Sequence, residues 1–155
     1  MKQILILLTA LLAGNGLLQA QGNSTEDSVK AAVNKLFEGM KKADAALVTA
    51  AFSDSALLQT IHYNREGQTI TRNLSVPAFA AMVARSEPGA ADERIQFGSI
   101  LVDGGLASVW TPYQFFYQGQ LSHCGVNSFQ LVRFKEGWKI QYIIDTRRKS
   151  PCPQQ

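Results

Sequence analysis

Apolar residues recur along this chain with two different periods, and the change from one to the other divides it. Val29, Ala32, Val33, Leu36, Phe37 and Met40 fall at i, i+3, i+4, i+7, i+8 and i+11, a single stripe, while Lys30, Asn34, Glu38 and Lys41 fall on other faces. That spacing predicts an amphipathic helix, capped at Ser24 or Thr25 with Glu26 and Asp27 near the positive end of its dipole. A shorter helix follows, capped by Asp44 and carrying Leu47, Val48, Ala51 and Phe52. The period then drops to that of extended chain. "ALLQTIHYN", the turn "REGQ" and "TITRNLS" predict a hairpin over 56–75. A third helix starts at Ser75 with Pro77 in its first turn, turns Phe79, Met82 and Val83 inward, and stops at "EPGA". Beyond it four strands, about 93–102, 106–117, 121–134 and 138–148, are divided by "DGG", "QGQ" and "KEG". Pro112 cannot donate to a ladder, so the second of these strands has an edge or a bulge there.

The plan is α+β: a conical fold, with a strongly curved, mainly antiparallel sheet wrapped on three helices of the N-terminal half. Such a cone fills its narrow end with side chains and leaves room for a pocket at its mouth. About 135 residues without an internal linker or repeat make one domain, over 26–148. Before it come a leader over 1–20 and a flexible lead-in over 21–25; after it, a tail over 149–155. The leader carries Lys2, the apolar run "ILILLTALLAG" and small residues around Ala20, the layout of a cleaved secretory signal. Its apolar run is shorter than the ~20 residues a spanning helix needs, so no membrane association is expected once the leader is removed.

Charge adds an exclusion. Loss of Lys2 leaves 14 basic against 12 acidic residues. The excess is gathered in Arg147, Arg148 and Lys149, too small a footprint for nucleic acid. Export bears on the two cysteines: Cys124 and Cys152 are a candidate disulfide, the alternative being a buried thiol at Cys124 and an exposed one on the tail.

Candidate chemistry concentrates near the ends of the strands. If "KEGW" closes a two-residue turn with Lys135 opposite Trp138, then Leu131 faces Tyr142, Phe129 faces Ile144 and Asn127 faces Thr146. Phe129, Leu131, Trp138, Ile140, Tyr142 and Ile144 then share the concave face, and His123, Gly125 and Asn127 continue it. Asp145 and Arg147 fall on the other face in this register, and a slip of one residue reverses the assignment. His62 shares a strand face with Leu58 and Thr60. The candidate ligand-binding set is therefore His62, Trp110, Tyr113, His123 and Asn127: imidazoles able to orient a ligand or take a proton, among aromatic walls. Each histidine could equally be structural, bonded to backbone. With only His62 and His123 and no local ligand motif, neither a metal nor a cofactor is expected.

Two longer stretches carry a family resemblance. "VKAAVNKLFEGMKKADAALVTAAFSDSALL" and "FQLVRFKEGWKIQYIIDTRR" resemble the helix pair and final hairpin of the nuclear-transport-factor-2-like superfamily, with SnoaL-like cyclases and ketosteroid isomerases. "SHCGVNSFQLVRF" with "IIDTRRKSPC" is similar to small exported bacterial members labelled lumazine-binding. The resemblance implies the cone, a pocket between sheet and helices, and a homodimer through the outer sheet face. Val126, Val132, Phe134 and Ile143 are expected on that face. It implies no single reaction, and no carboxylate in the sheet interior matches the isomerase acids. Three readings follow: an exported small-molecule-binding domain in the periplasm or outside the cell; an isomerase, dehydratase or hydrolase with His62 or His123 as base and Tyr113 as donor; or a non-catalytic interaction module.

Overall fold

The structure is a computed structural model and describes residues 14–152. The first 13 residues of the proposed leader lie outside them. Three helices, α1 (Gly14–Lys42), α2 (Ala45–Ala51) and α3 (Val76–Val83), pack on one face of a seven-stranded sheet. The strands are β1 (Phe52–Tyr63), β2 (Thr69–Leu74), β3 (Ala91–Ile95), β4 (Ser99–Asp103), β5 (Leu106–Tyr117), β6 (Gln120–Phe134) and β7 (Gly137–Thr146). Their order is β2-β1-β7-β6-β5-β3, with β4 also on β5; only the β1–β7 pairing is parallel.

The predicted helical stripe is the one buried. Val29, Val33, Leu36, Phe37 and Met40 join the core, and the Phe37 ring meets Phe129 edge-on at 6.1 Å. The N-terminal boundary differs. No cap forms at Ser24 or Thr25; helix continues through 21–25, which contain no proline, and Ser28 Oγ donates to the Ser24 carbonyl at 2.8 Å. Asp44 caps α2, accepting from Leu47 N at 2.9 Å, and Ser75 caps α3 with Pro77 in the first turn.

The strand expected over 93–102 is two strands. β3 pairs with the end of β5 and β4 with its beginning. The break falls opposite Pro112, whose carbonyl accepts from Gln96 N at 3.0 Å. In an extended residue the N and the C=O face the same neighbour, so the missing N–H of Pro112 falls where the partner strand is interrupted.

Across the inner face run two adjacent rows of cross-strand neighbours. One is Leu74, Leu58, Ile143, Phe129, Val109 and Ile100. The next, two residues further along each strand, is Arg72, Thr60, Asp145, Asn127 and Thr111. The first belongs to or packs against the core; of the second, Arg72, Thr60, Asp145 and Asn127 line a cavity that Leu74, Leu58 and Ile143 of the first also reach.

Candidate functional site

The cavity, about 620 Å³, lies between the inner sheet face and α1 and α3. Leu36, Phe37, Met40, Phe79, Met82 and Ile143 form apolar wall, and Thr60, Glu93, Tyr113, Asn127, Asp145 and Arg147 form its polar end. Volume and lining are those of a small-molecule site.

A bulge in β7 creates the polar end. Near the turn, Phe134 pairs with Gly137, which takes a φ of +114° that favours glycine, and Leu131 pairs with Ile140. Beyond Gln141 the register shifts by one, so that Phe129 pairs with Ile143 and Asn127 with Asp145. Trp138 and Ile140 point inward as expected, but past the extra residue the alternation inverts. Ile143, Asp145 and Arg147 therefore face the cavity, against the expectation that Asp145 and Arg147 face away and that Ile143 lies on the outer face; Tyr142 and Ile144 leave the concave face. The Gln141 side chain accepts from Ser53 Oγ at 2.7 Å and donates to the Ser55 carbonyl at 3.1 Å, where β1 has its own irregularity between Phe52 and Leu57. The two distortions thus hold one another.

Within the site the side chains bond in sequence. Arg147 Nε donates to Asp145 Oδ2 at 2.9 Å, and Thr60 Oγ1 donates to Asp145 Oδ1. The Tyr113 hydroxyl lies 3.0 Å from the Thr146 carbonyl and 3.3 Å from Asp145 Oδ2. Asn127 Nδ2 donates to Glu93 Oε1 at 2.8 Å and lies 3.4 Å from Thr111 Oγ1. Asn127 is 3% exposed and Asp145 8%. Gly125 permits the close approach of β7, because a Cβ there would lie 1.8 Å from the Thr146 carbonyl oxygen.

Burial, and then the Asp145 charge, push the Glu93 carboxyl up to about 7 against the opposing pull of Asn127 and Arg147. Glu93 keeps some surface on the cavity yet has protein on all sides, so the cavity does not screen it as bulk water would. The Tyr113 phenol is also pushed up, by burial and then by both carboxylates, and stays a hydroxyl donor. Burial lowers His123, and Arg147 lowers it further against the pull of Asp145, favouring the neutral ring. Arg147 is raised: burial opposes its charge, and Asp145 outweighs burial.

Of the five predicted ligand-binding residues, His62, Tyr113, His123 and Asn127 line this cavity. His123 stacks against Phe115 at 4.9 Å and meets Tyr113 edge-on at 5.8 Å. Trp110 does not join them. It alternates with the inward residues Val109 and Thr111, lies 49% exposed on the outer face, and packs near Gly98. The cavity is lined by two carboxylates, Glu93 and Asp145; Asp145 was expected on the other face, and Glu93 was not among the expected site residues. A signal for Glu93 was available: it shares the β3 face of Ala91 and Ile95, opposite Asp92 and Arg94. Among the described residues no cluster of three or more His, Cys, Asp or Glu could hold a metal ion.

Cys124 and Cys152 form a disulfide, with Cα atoms 5.6 Å apart. Cys124 pairs with Arg148 through two backbone hydrogen bonds of 2.9 Å, and the tail then turns back to bring Cys152 alongside. The bond pins the segment that carries Arg147, one residue from His123. A 28-residue separation corresponds to about 3 to 4 kcal/mol in the chain-entropy model.

No protein-family model and no curated protein sequence matches the chain. Solved structures do. An NTF2-like protein of unknown function from Shewanella baltica OS155 superposes with a TM-score of 0.64 at 17% identity, covering 86% of this chain and 97% of that one. An NTF2-like protein with a cystatin-like fold from Novosphingobium aromaticivorans gives 0.66 at 10% identity, covering 92% and 94%. A domain with a cystatin-like fold from Nostoc punctiforme gives 0.62 at 17%, covering 82% and 79%. The chain has the NTF2-like, cystatin-like cone fold.

Proposed function

We propose that this is an exported domain that binds a small molecule at the mouth of the cone. The observation that carries the reading is the cavity in which an apolar wall from α1 and α3 meets the polar row of the sheet. The leader supports export, the disulfide is compatible with an oxidising compartment, and among the described residues no helix is long and apolar enough to cross a membrane. The similarity to exported proteins labelled lumazine-binding makes a planar bicyclic ring one candidate ligand. Fluorescence titration with lumazine tests it, and unchanged emission removes it. The broader test is mass spectrometry of small molecules that co-purify with the protein from its native host, compared with an Asn127→Ala variant. A defined compound retained by the native protein and lost from the variant is expected; none in either overturns the reading.

An enzymatic reading has its own support in Glu93, a carboxyl pushed up to about 7 in the cavity that Tyr113 and Arg147 also line, both of which interact with it electrostatically. It transfers the base from a histidine to Glu93, since His123 is stacked and its basicity is lowered. A turnover whose rate rises with a pKa near 7 and vanishes in Glu93→Gln would favour it over simple binding. We also propose a homodimer through the outer face, where Val126, Val132 and Phe134 lie with Trp110. Sedimentation showing only monomer at micromolar concentration overturns that assignment.

A further inference from the structure

The charged residues lining the cavity are two arginines, Arg72 and Arg147, and two carboxylates, Glu93 and Asp145, and they are not all engaged with one another. Glu93 accepts from Asn127, and Asp145 accepts from Arg147 and Thr60. Arg72 ends the polar row on β2, directly across from Thr60, and has no hydrogen bond or ion pair among the described residues. On the other side of Thr60, Arg147 spends Nε on Asp145 and sets Nη2 3.4 Å from Thr60 Oγ1, leaving its outer edge toward the cavity. Thr60 is thus flanked by two guanidinium groups with one carboxylate between them. His62, one inward position further along β1, adds a ring that donates or accepts.

Resting on the binding reading above, we infer that the ligand is a monoanion, a single carboxylate on an apolar body, with its carboxylate held by Arg72 and the open edge of Arg147. Arg72 is the lining charge that no side chain among the described residues engages, so it offers a place for one negative charge, and a second would meet Asp145. Guanidinium forks match the planar carboxylate and bond it in pairs. The apolar body then runs over Leu74 and Ile143 toward Phe37, Met40, Phe79 and Met82, whose two thioethers fit irregular chains. Asn127, whose amide donates to Glu93, lies toward the other end of the polar row, away from the anion.

The probe pair is cis-parinaric acid and its methyl ester, identical in body and different only in charge, followed by their own fluorescence. The acid is expected to bind the native protein at least about tenfold more tightly than the ester, the size of a charge-assisted contact. In Arg72→Gln the acid should fall to within about threefold of the ester, with ester affinity unchanged, and Arg72→Lys should restore part of the preference. Arg72 is exposed on an edge strand, and thermal unfolding of each variant checks that the fold is kept. Equal binding of acid and ester by the native protein overturns the anion inference and leaves the pocket reading standing. A preference that survives Arg72→Gln overturns the role of Arg72. Failure of both probes to bind overturns the inference of an apolar-bodied monoanion, and the pocket reading is judged separately by the co-purification test.

Discussion

The apolar row from Leu74 to Ile100 and the polar row from Arg72 to Thr111 lie on the same face of the same strands, about 7 Å apart. What separates them is what sits above. Over the Phe129 end of the first, α1 places Phe37 on Phe129 and closes the space, while Leu74, Leu58 and Ile143 form cavity wall. Over the second the helices stand back and leave a cavity, so polar side chains survive by bonding one another along the row. The same backbone therefore supports a closed core at Phe129 and Val109 and a cavity over Thr60, Asp145 and Asn127, with Leu74, Leu58 and Ile143 at the boundary.

Substitutions should separate the two halves. Phe129→Ala, in the apolar row, should cost about 4 kcal/mol through lost burial and an unfilled cavity, seen as a large drop in the denaturation midpoint. A loss below 1 kcal/mol would break the contrast between the rows. Glu93→Gln tests the polar half by pH. With its carboxyl raised from 4.5 to about 7, folded Glu93 holds a proton that the unfolded chain releases. Its contribution is fully present below pH 4.5 and is lost as pH rises to 7, by up to roughly 3 kcal/mol. The variant should lack that loss, so native and variant stabilities measured from pH 4 to 8 should diverge upward through this window in favour of the variant. Parallel curves would refute the raised carboxyl.

Gln141→Ala probes the bulge that sets the boundary. It removes the bonds to Ser53 and Ser55, for an expected cost of about 1 to 2 kcal/mol. Its sharper consequence is ligand binding, because Asp145 and Arg147 depend on that bulge to face inward. Unchanged binding per folded molecule would show that the register holds without it. The smallest effect on stability should come from His62→Ala, within about 0.5 kcal/mol for a side chain that reaches the cavity from a partly open strand. Binding should weaken nonetheless, and equal losses in stability and affinity would assign His62 a structural role.

Much of this could be read directly from the chain. The helical stripe from Val29 to Met40, the caps at Asp44 and Ser75, the hairpin of β1 and β2 and the glycine turns all rest on local rules: a 3.6-residue period, side-chain acceptors for free N–H groups, and glycine where φ is positive. His123, Gly125 and Asn127 were placed on the inner face by alternation within one strand, and no irregularity intervenes there. Only the folded structure decided where Asp145 and Arg147 point. The segment "IQYII" offers apolar residues at both parities, so alternation gives no warning that Gln141 is an extra residue. Its hydrogen-bonding partners, Ser53 and Ser55, come from a strand 86 to 88 residues earlier. Glu93 is the same case in another form. Its face follows from β3, but its proton affinity is set by burial and by Asp145 and Arg147, which reach it only through the curvature of the sheet. Local periodicity specifies elements and faces, whereas a bulge and a buried charge depend on partners distant in sequence.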